Sequence, residues 1–127
     1  MPEIELGVPK GVVESLPDED GTAEQDMRRA IAGIQSRLND EIAEAEPAEA
    51  AEIVADAVER MEAQASTYHE FVPELRAWGQ SPIYAIAWRN LYLELIGQLY
   101  DHEWLAGELD RERNFRLVDD GIRLSDL

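Results

Sequence analysis

Two histidines, His69 and His102, are the side chains of this 127-residue chain whose ordinary pKa lets them exchange protons near neutral pH, and either could also ligate a metal. Each sits beside a carboxylate, in Tyr68-His69-Glu70 and Asp101-His102-Glu103, but adjacent residues on a helix point apart and make no dyad. A di-iron bundle would need Glu-x-x-His, whereas Ser66 and Leu99 stand three residues before the histidines. Both therefore read as structural or solvated. Glu41 with Glu44, and Asp56 with Glu59, are spaced to share a helix face and could hold a divalent cation. In a chain with 28 acidic residues such pairs arise without a site. There is no cysteine, so disulfides, thiolate zinc sites and cysteine nucleophiles are excluded. No glycine-rich phosphate loop or nucleophile elbow is present. No catalytic, cofactor-binding or metal residue is assigned, and the expectation is a protein that is not an enzyme.

A different chemistry, that of contact, lies in the run Ser81–Leu105, SPIYAIAWRNLYLELIGQLYDHEWL. Tyr84, Trp88, Tyr92, Ile96, Tyr100 and Trp104 recur every fourth residue. On a helix of 3.6 residues per turn that repeat drifts by about 40° per step, so the ridge winds and its ends face different neighbours. Asn90, Glu94, Gln98 and Asp101 take one narrow face. The apolar remainder is wider than the stripe of roughly 100° that an ordinary surface helix buries. Arg89 projects from inside that apolar arc, between Ala85, Tyr92, Leu93 and Ile96. A desolvated guanidinium needs a carboxylate or carbonyl partner, and no Asp or Glu lies four residues away on its own helix. The expectation is that the partner comes from elsewhere and that part of the ridge is a subunit contact, where Tyr, Trp and Arg are enriched. The expected interface is Tyr84, Trp88, Arg89, Tyr92, Ile96, Tyr100 and Trp104, with Trp88 turned toward the core and Trp104 toward the contact.

The elements that must position this helix can be read from periodicity and breaks. Residues 1–21 carry Pro2, Pro9, Pro17, Gly7 and Gly11, a spacing that predicts an extended N-terminal arm with a short strand at Glu3–Leu6. An ordered arm of this kind is expected to lie across a neighbouring copy. Thr22 and Gln25 form a capping-box pattern opening a helix over about 22–45, with Met27, Ile31, Ile34, Leu38 and Ile42 as its stripe. Pro47 suits the first turn of a second helix over 47–72. Its seam of Ala51, Val54, Val58, Met61, Ala65, Tyr68 and Val72 alternates fours and threes. The short connection predicts a long antiparallel αα-hairpin. Pro73, Gly79 and Pro82 predict a break holding a short helical turn at Glu74–Trp78. Ser81 then caps a third, aromatic-rich helix over 82–107, with Pro82 at its first position. These helices make up a bundle spanning 22–112. Residues 113–127 alternate about Asp120-Gly121 and predict a short C-terminal β-hairpin or tail, able to pair with the Glu3–Leu6 strand. The fold class expected is mainly α, one domain.

Charge says more about surroundings than about a partner. The formal net charge is −17, with 28 acidic against 11 basic residues, and Lys10 is the only lysine. Hydrophobic residues make up 45% and are periodic, which argues against disorder. Self-repulsion on this scale is relieved by concentrated salt, which shortens the screening length to about 3 Å at 1 M. Abundant carboxylate, scarce lysine and many alanines resemble the proteins of salt-in halophiles. The N-terminal MPEIELGVPKG does not read as a signal peptide. Arg89, Asn90, Glu94 and Gln98 interrupt the apolar run too often for a membrane span. The expected location is the cytoplasm or the inside of a virus particle.

The order of a short helix, a turn at Gly79-Gln80-Ser81, a long helix and a hairpin resembles a winged helix-turn-helix regulator. That resemblance implies duplex DNA as partner, with Arg111, Arg113, Arg116 and Arg123 as contacts from the wing. Against it, tyrosine, tryptophan and leucine stand where base-reading polar side chains belong, and Asp119 and Asp120 would face phosphate. The preferred reading is a non-enzymatic assembly or adaptor subunit from a halophile that acts by helix-mediated self-association. A small virion connector of a haloarchaeal tailed virus has this style. The winged-helix regulator, with a helical hairpin for dimerisation, is the alternative.

Overall fold

The computed structural model describes residues 4–14, 16 and 21–100 of the chain. The described residues are mainly helical, with no strand among them: α1 is Lys10–Glu14, α2 is Thr22–Ile42, α3 is Pro47–Ala77 and α4 is Ile83–Tyr100. No helix among them is long and apolar enough to cross a membrane. The expected C-terminal hairpin over 113–127, the continuation of the third helix to 107, and residues His102, Trp104, Arg111, Arg113, Arg116 and Arg123 lie outside the described residues.

The stripes read from the sequence are the buried faces. Met27, Ile31, Leu38 and Ile42 of α2 are buried, as are Ala51, Val54, Val58, Met61, Ala65 and Val72 of α3. Leu91, Leu95, Ile96 and Leu99 of α4 complete the centre. Pro47 opens α3, as its missing N–H allows. The α2–α3 hairpin is present, but it is the looser pairing: α3 lies more extensively along α4 than along α2. Small side chains, Ala65 on α3 and Ala85 and Ala87 on α4, are buried on these two helices, whereas the buried residues of α2 are Met, Ile and Leu.

Several local expectations are corrected. α3 does not break at Pro73 but runs 31 residues to Ala77 with the proline inside it. An interior proline costs roughly 3 kcal/mol. The cost is met where α3 is held along α4, with Val72 buried immediately before the proline. The helix stops instead at Gly79, whose φ of +73° is the left-handed value glycine adopts without strain. There the Gly79 N–H donates to Arg76 O at 3.1 Å and the Gln80 N–H to Leu75 O at 2.9 Å, a Schellman turn. At the other end of the bundle, Thr22 is not an N-cap. Gly21, with φ +76°, precedes the helix, and its carbonyl accepts from the Gln25 N–H at 3.0 Å. Ser81 does cap α4, its Oγ accepting from the Ile83 N–H at 3.4 Å.

The N-terminal arm is the largest revision. Residues 10–14 form α1 despite Pro9 and Gly11, because Pro9 precedes the first turn, where its missing N–H is not needed and its carbonyl accepts from Val12 and Val13. Residues 4–6 form no strand. Their backbone is held by side-chain amides. Asn39 of α2 accepts from the Ile4 N–H at 2.8 Å and donates to the Ile4 carbonyl at 2.9 Å. Gln35, one turn earlier on α2, accepts from the Leu6 N–H at 2.7 Å. Gln98 of α4 accepts from the Gly7 N–H at 2.7 Å and donates to its carbonyl at 2.9 Å. With Ile4, Leu6, Val12 and Leu16 buried, the arm lies across helices of its own chain and is not held out for a neighbour.

Candidate functional site

α3 and α2 leave the same short connection, but α3 has 31 residues and α2 only 21. At 1.5 Å per residue, α3 outruns its neighbour by about 15 Å. The last turns of α3, the Schellman turn and the first turns of α4 thus form a two-helix tip. Most of the aromatic side chains of the described residues gather there.

Trp88 and Tyr92 stand four apart on α4 and so share a face. Tyr68 reaches them from α3. Its ring stacks on Trp88 with centroids 6.3 Å apart and planes at 19°, and on Tyr92 at 6.2 Å and 17°. Trp88 and Tyr92 are themselves 6.3 Å apart, tilted at 37°. Pairs of this kind add about 0.5–1.5 kcal/mol each beyond the area they bury. The cluster fixes the register of α3 against α4 near the base of the tip.

Arg89 lies beside it, 5% exposed. Its Nη1 donates to His69 Nδ1 at 2.7 Å, and its Nε donates to Asn90 Oδ1 at 3.3 Å. Because the guanidinium has only donors, His69 Nδ1 must be the acceptor and the ring's proton must sit on Nε2. Burial, then the Arg89 charge, push the His69 pKa below its ordinary value, and Glu70 opposes them. Tyr92 is pushed upward by burial and then by Tyr68, so its hydroxyl stays protonated and can donate. Glu62, two turns before His69 on α3, is buried as well.

Beyond this base the tip carries exposed side chains among the described residues. Phe71 is 44% exposed, Trp78 68% and Tyr84 46%. These are the exposed large hydrophobic side chains among the described residues, and they lie on the end of α3, its cap and the start of α4. Exposed apolar side chains of this size on a very acidic molecule make this end of α3 and start of α4 a candidate contact surface. The stacked rings and the Arg89–His69 hydrogen bond join α3 to α4 in the same part of the two helices.

Of the residues expected at an interface, Tyr84 is on this surface, and Trp88 and Tyr92 are half-buried in the stack. Arg89 finds its partner within the chain, on His69, so it does not await a neighbour's carboxylate. Ile96 is fully buried in the central core and is not presented to a partner. Tyr100 is the last residue of α4, and the surroundings of its side chain, like Trp104, lie outside the described residues. Phe71 and Trp78 were not assigned from sequence. Phe71 sits one residue off the α3 seam, inside the predicted helix, whereas Trp78 joins the same helix end only once α3 is known to pass Pro73. Glu41, Glu44, Asp56 and Glu59 are all exposed, and no cluster among the described residues could hold a metal ion.

Residues 1–126 match the Family of unknown function (DUF7971), and the chain belongs to that family. No curated protein and no solved structure matches it.

Proposed function

We propose that this protein is a non-enzymatic assembly or adaptor subunit of a halophilic complex, and that it self-associates through the tip formed by α3 and α4. The observation that carries this reading is the joint exposure of Phe71, Trp78 and Tyr84 above a two-helix base. Tyrosine and tryptophan are the side chains that dominate binding energy at contacts. A patch centred on a helical turn can meet its own copy across a two-fold axis, so a single surface suffices to build a dimer. Exposed Glu70, Glu74 and Arg76 surround it and supply both charge signs at the rim. Two copies of net charge −17 repel at low salt, and the screening of a concentrated salt solution lets the apolar contact prevail. A position in the cytoplasm or in a virus particle, as a connector, fits such a subunit.

The winged-helix reading gains nothing comparable. Its short first helix, Glu74–Trp78, is mostly the end of one continuous 31-residue α3. The experiment is light-scattering mass across protein concentration in about 2 M KCl, where repulsion is screened. A mass above that of one chain, rising with concentration, supports self-association. The mass of one chain at every concentration overturns it.

A further inference from the structure

A second surface is a groove between α2 and α3, which shares Tyr92 with the aromatic stack at the base of the tip. It encloses about 300 Å³ and is lined by Ile34, Arg37 and Leu38 of α2, Ala57, Arg60, Met61 and Gln64 of α3, and Tyr92 of α4. Leu38, Ala57 and Met61 are buried and form an apolar floor. Two arginines face the groove from opposite helices, and no carboxylate lines it among the described residues. In a chain with 28 acidic residues that composition is unexpected.

Arg28 and Arg29 show the usual outcome, taking Glu24 at 2.9 Å and Asp26 at 3.9 Å on their own helix. Arg37 and Arg60 have no ion-pair partner among the described residues. Yet Glu41 and Asp56 stand four residues from them on the same helices. Two guanidiniums on one groove repel each other, and a bound anion reverses that repulsion. The guanidinium fork matches a planar carboxylate, which it can grip through two parallel hydrogen bonds. The Gln64 amide and the Tyr92 hydroxyl add neutral donors. The floor offers nothing to a fully hydrated anion but accepts a hydrocarbon body.

We propose that this groove binds a small carboxylate with an aliphatic body, the carboxylate held by Arg37 and Arg60 and the chain laid on Leu38, Ala57 and Met61. The volume is at the small end of ligand pockets, which suits a compact molecule. This proposal does not rest on self-association at the tip.

The probe is hexanoate, titrated into the full chain at fixed KCl concentration. The readouts are the Arg37 and Arg60 Nε–H and Tyr92 ring resonances in NMR spectra. A molecule of about eight non-hydrogen atoms binds at roughly millimolar strength. The expected result is saturable shifts at these three residues and at least about a tenfold weaker Kd in Arg37→Gln/Arg60→Gln. Hexanamide, which lacks the charge, and phosphate, which lacks the chain, should each bind at least about tenfold more weakly than hexanoate. Both arginines are exposed, so the variants should keep the parent's melting temperature, and Arg76→Gln at the tip should bind as the parent does. The proposal is overturned by an absence of saturation up to about ten times the expected millimolar Kd. Unchanged affinity in the double variant, or equal binding of hexanamide, also overturns it.

Discussion

Removing the Asn39 amide tests whether the N-terminal arm belongs to the fold of its own chain. Asn39→Ala deletes two hydrogen bonds to Ile4, at 2.8 and 2.9 Å, both partly buried. At roughly 0.5–1.5 kcal/mol each, their loss costs about 1–3 kcal/mol. Ile4, fully buried, is the side chain those bonds seat. Ile4→Ala alone should cost about 2–5 kcal/mol, as other large-to-small core changes do. The two are one device, so the double variant should lose less than the sum, with a coupling of roughly 0.5–3 kcal/mol. The assay is urea unfolding in about 2 M KCl, followed by helical circular dichroism at two or more protein concentrations. An arm bound within its own chain gives losses that do not depend on concentration. An arm exchanged with a neighbour makes the loss itself concentration-dependent, whereas self-association at the tip shifts parent and variant alike. Asn39→Ala within about 0.5 kcal/mol of the parent, or losses that vanish on dilution, would refute the placement of the arm.

Thermal stability should rise steadily from about 0.1 M to above 2 M KCl as the acidic surface is screened, and a flat response would remove the halophilic reading. His69 has a depressed folded pKa, so the unfolded chain takes up the proton first. Stability is then full above the ordinary histidine value of about 6.5 and falls as pH drops from there through the folded pKa. His69→Gln should remove that part of the pH dependence, seen as a melting temperature flatter between about pH 7 and 5. Duplex DNA should not be retained at any salt where the protein is folded, and Arg113→Ala/Arg116→Ala should change nothing in that assay. Salt-sensitive retention lost in this variant would favour the regulator.

Elements whose signal is periodic were legible in the sequence. The α2 stripe and the α3 seam could be read because four-three spacing leaves few alternatives, and Pro47 and Ser81 act through the local backbone alone. Pro73 misled because a local preference was set against the packing of α3 along α4, and packing prevailed. The amides of Gln35, Asn39 and Gln98 carry no sequence signal. They bond backbone 29 to 91 residues away, and a glutamine on a polar face looks the same whether it meets solvent or an arm. Arg89 was recognisable as a cation in need of a partner, but an imidazole nitrogen is a less obvious acceptor than a carboxylate. Phe71 and Trp78 became visible as a surface only when α3 was seen to extend past α2. Tyr84 was named from the aromatic repeat itself, and its side chain is exposed.

The most direct test of self-association at the tip is the light-scattering mass of Trp78→Ser, Tyr84→Ser and the parent. All three are compared at one high protein concentration in about 2 M KCl, with melting temperatures taken alongside. Trp78 and Tyr84 are 68% and 46% exposed, so neither change opens a core cavity and the single chain should stay folded. The parent should scatter as more than one chain, and both variants should fall to the mass of one. A parent that is already a single chain, or variants that keep the parent's mass, would contradict the role assigned to the tip.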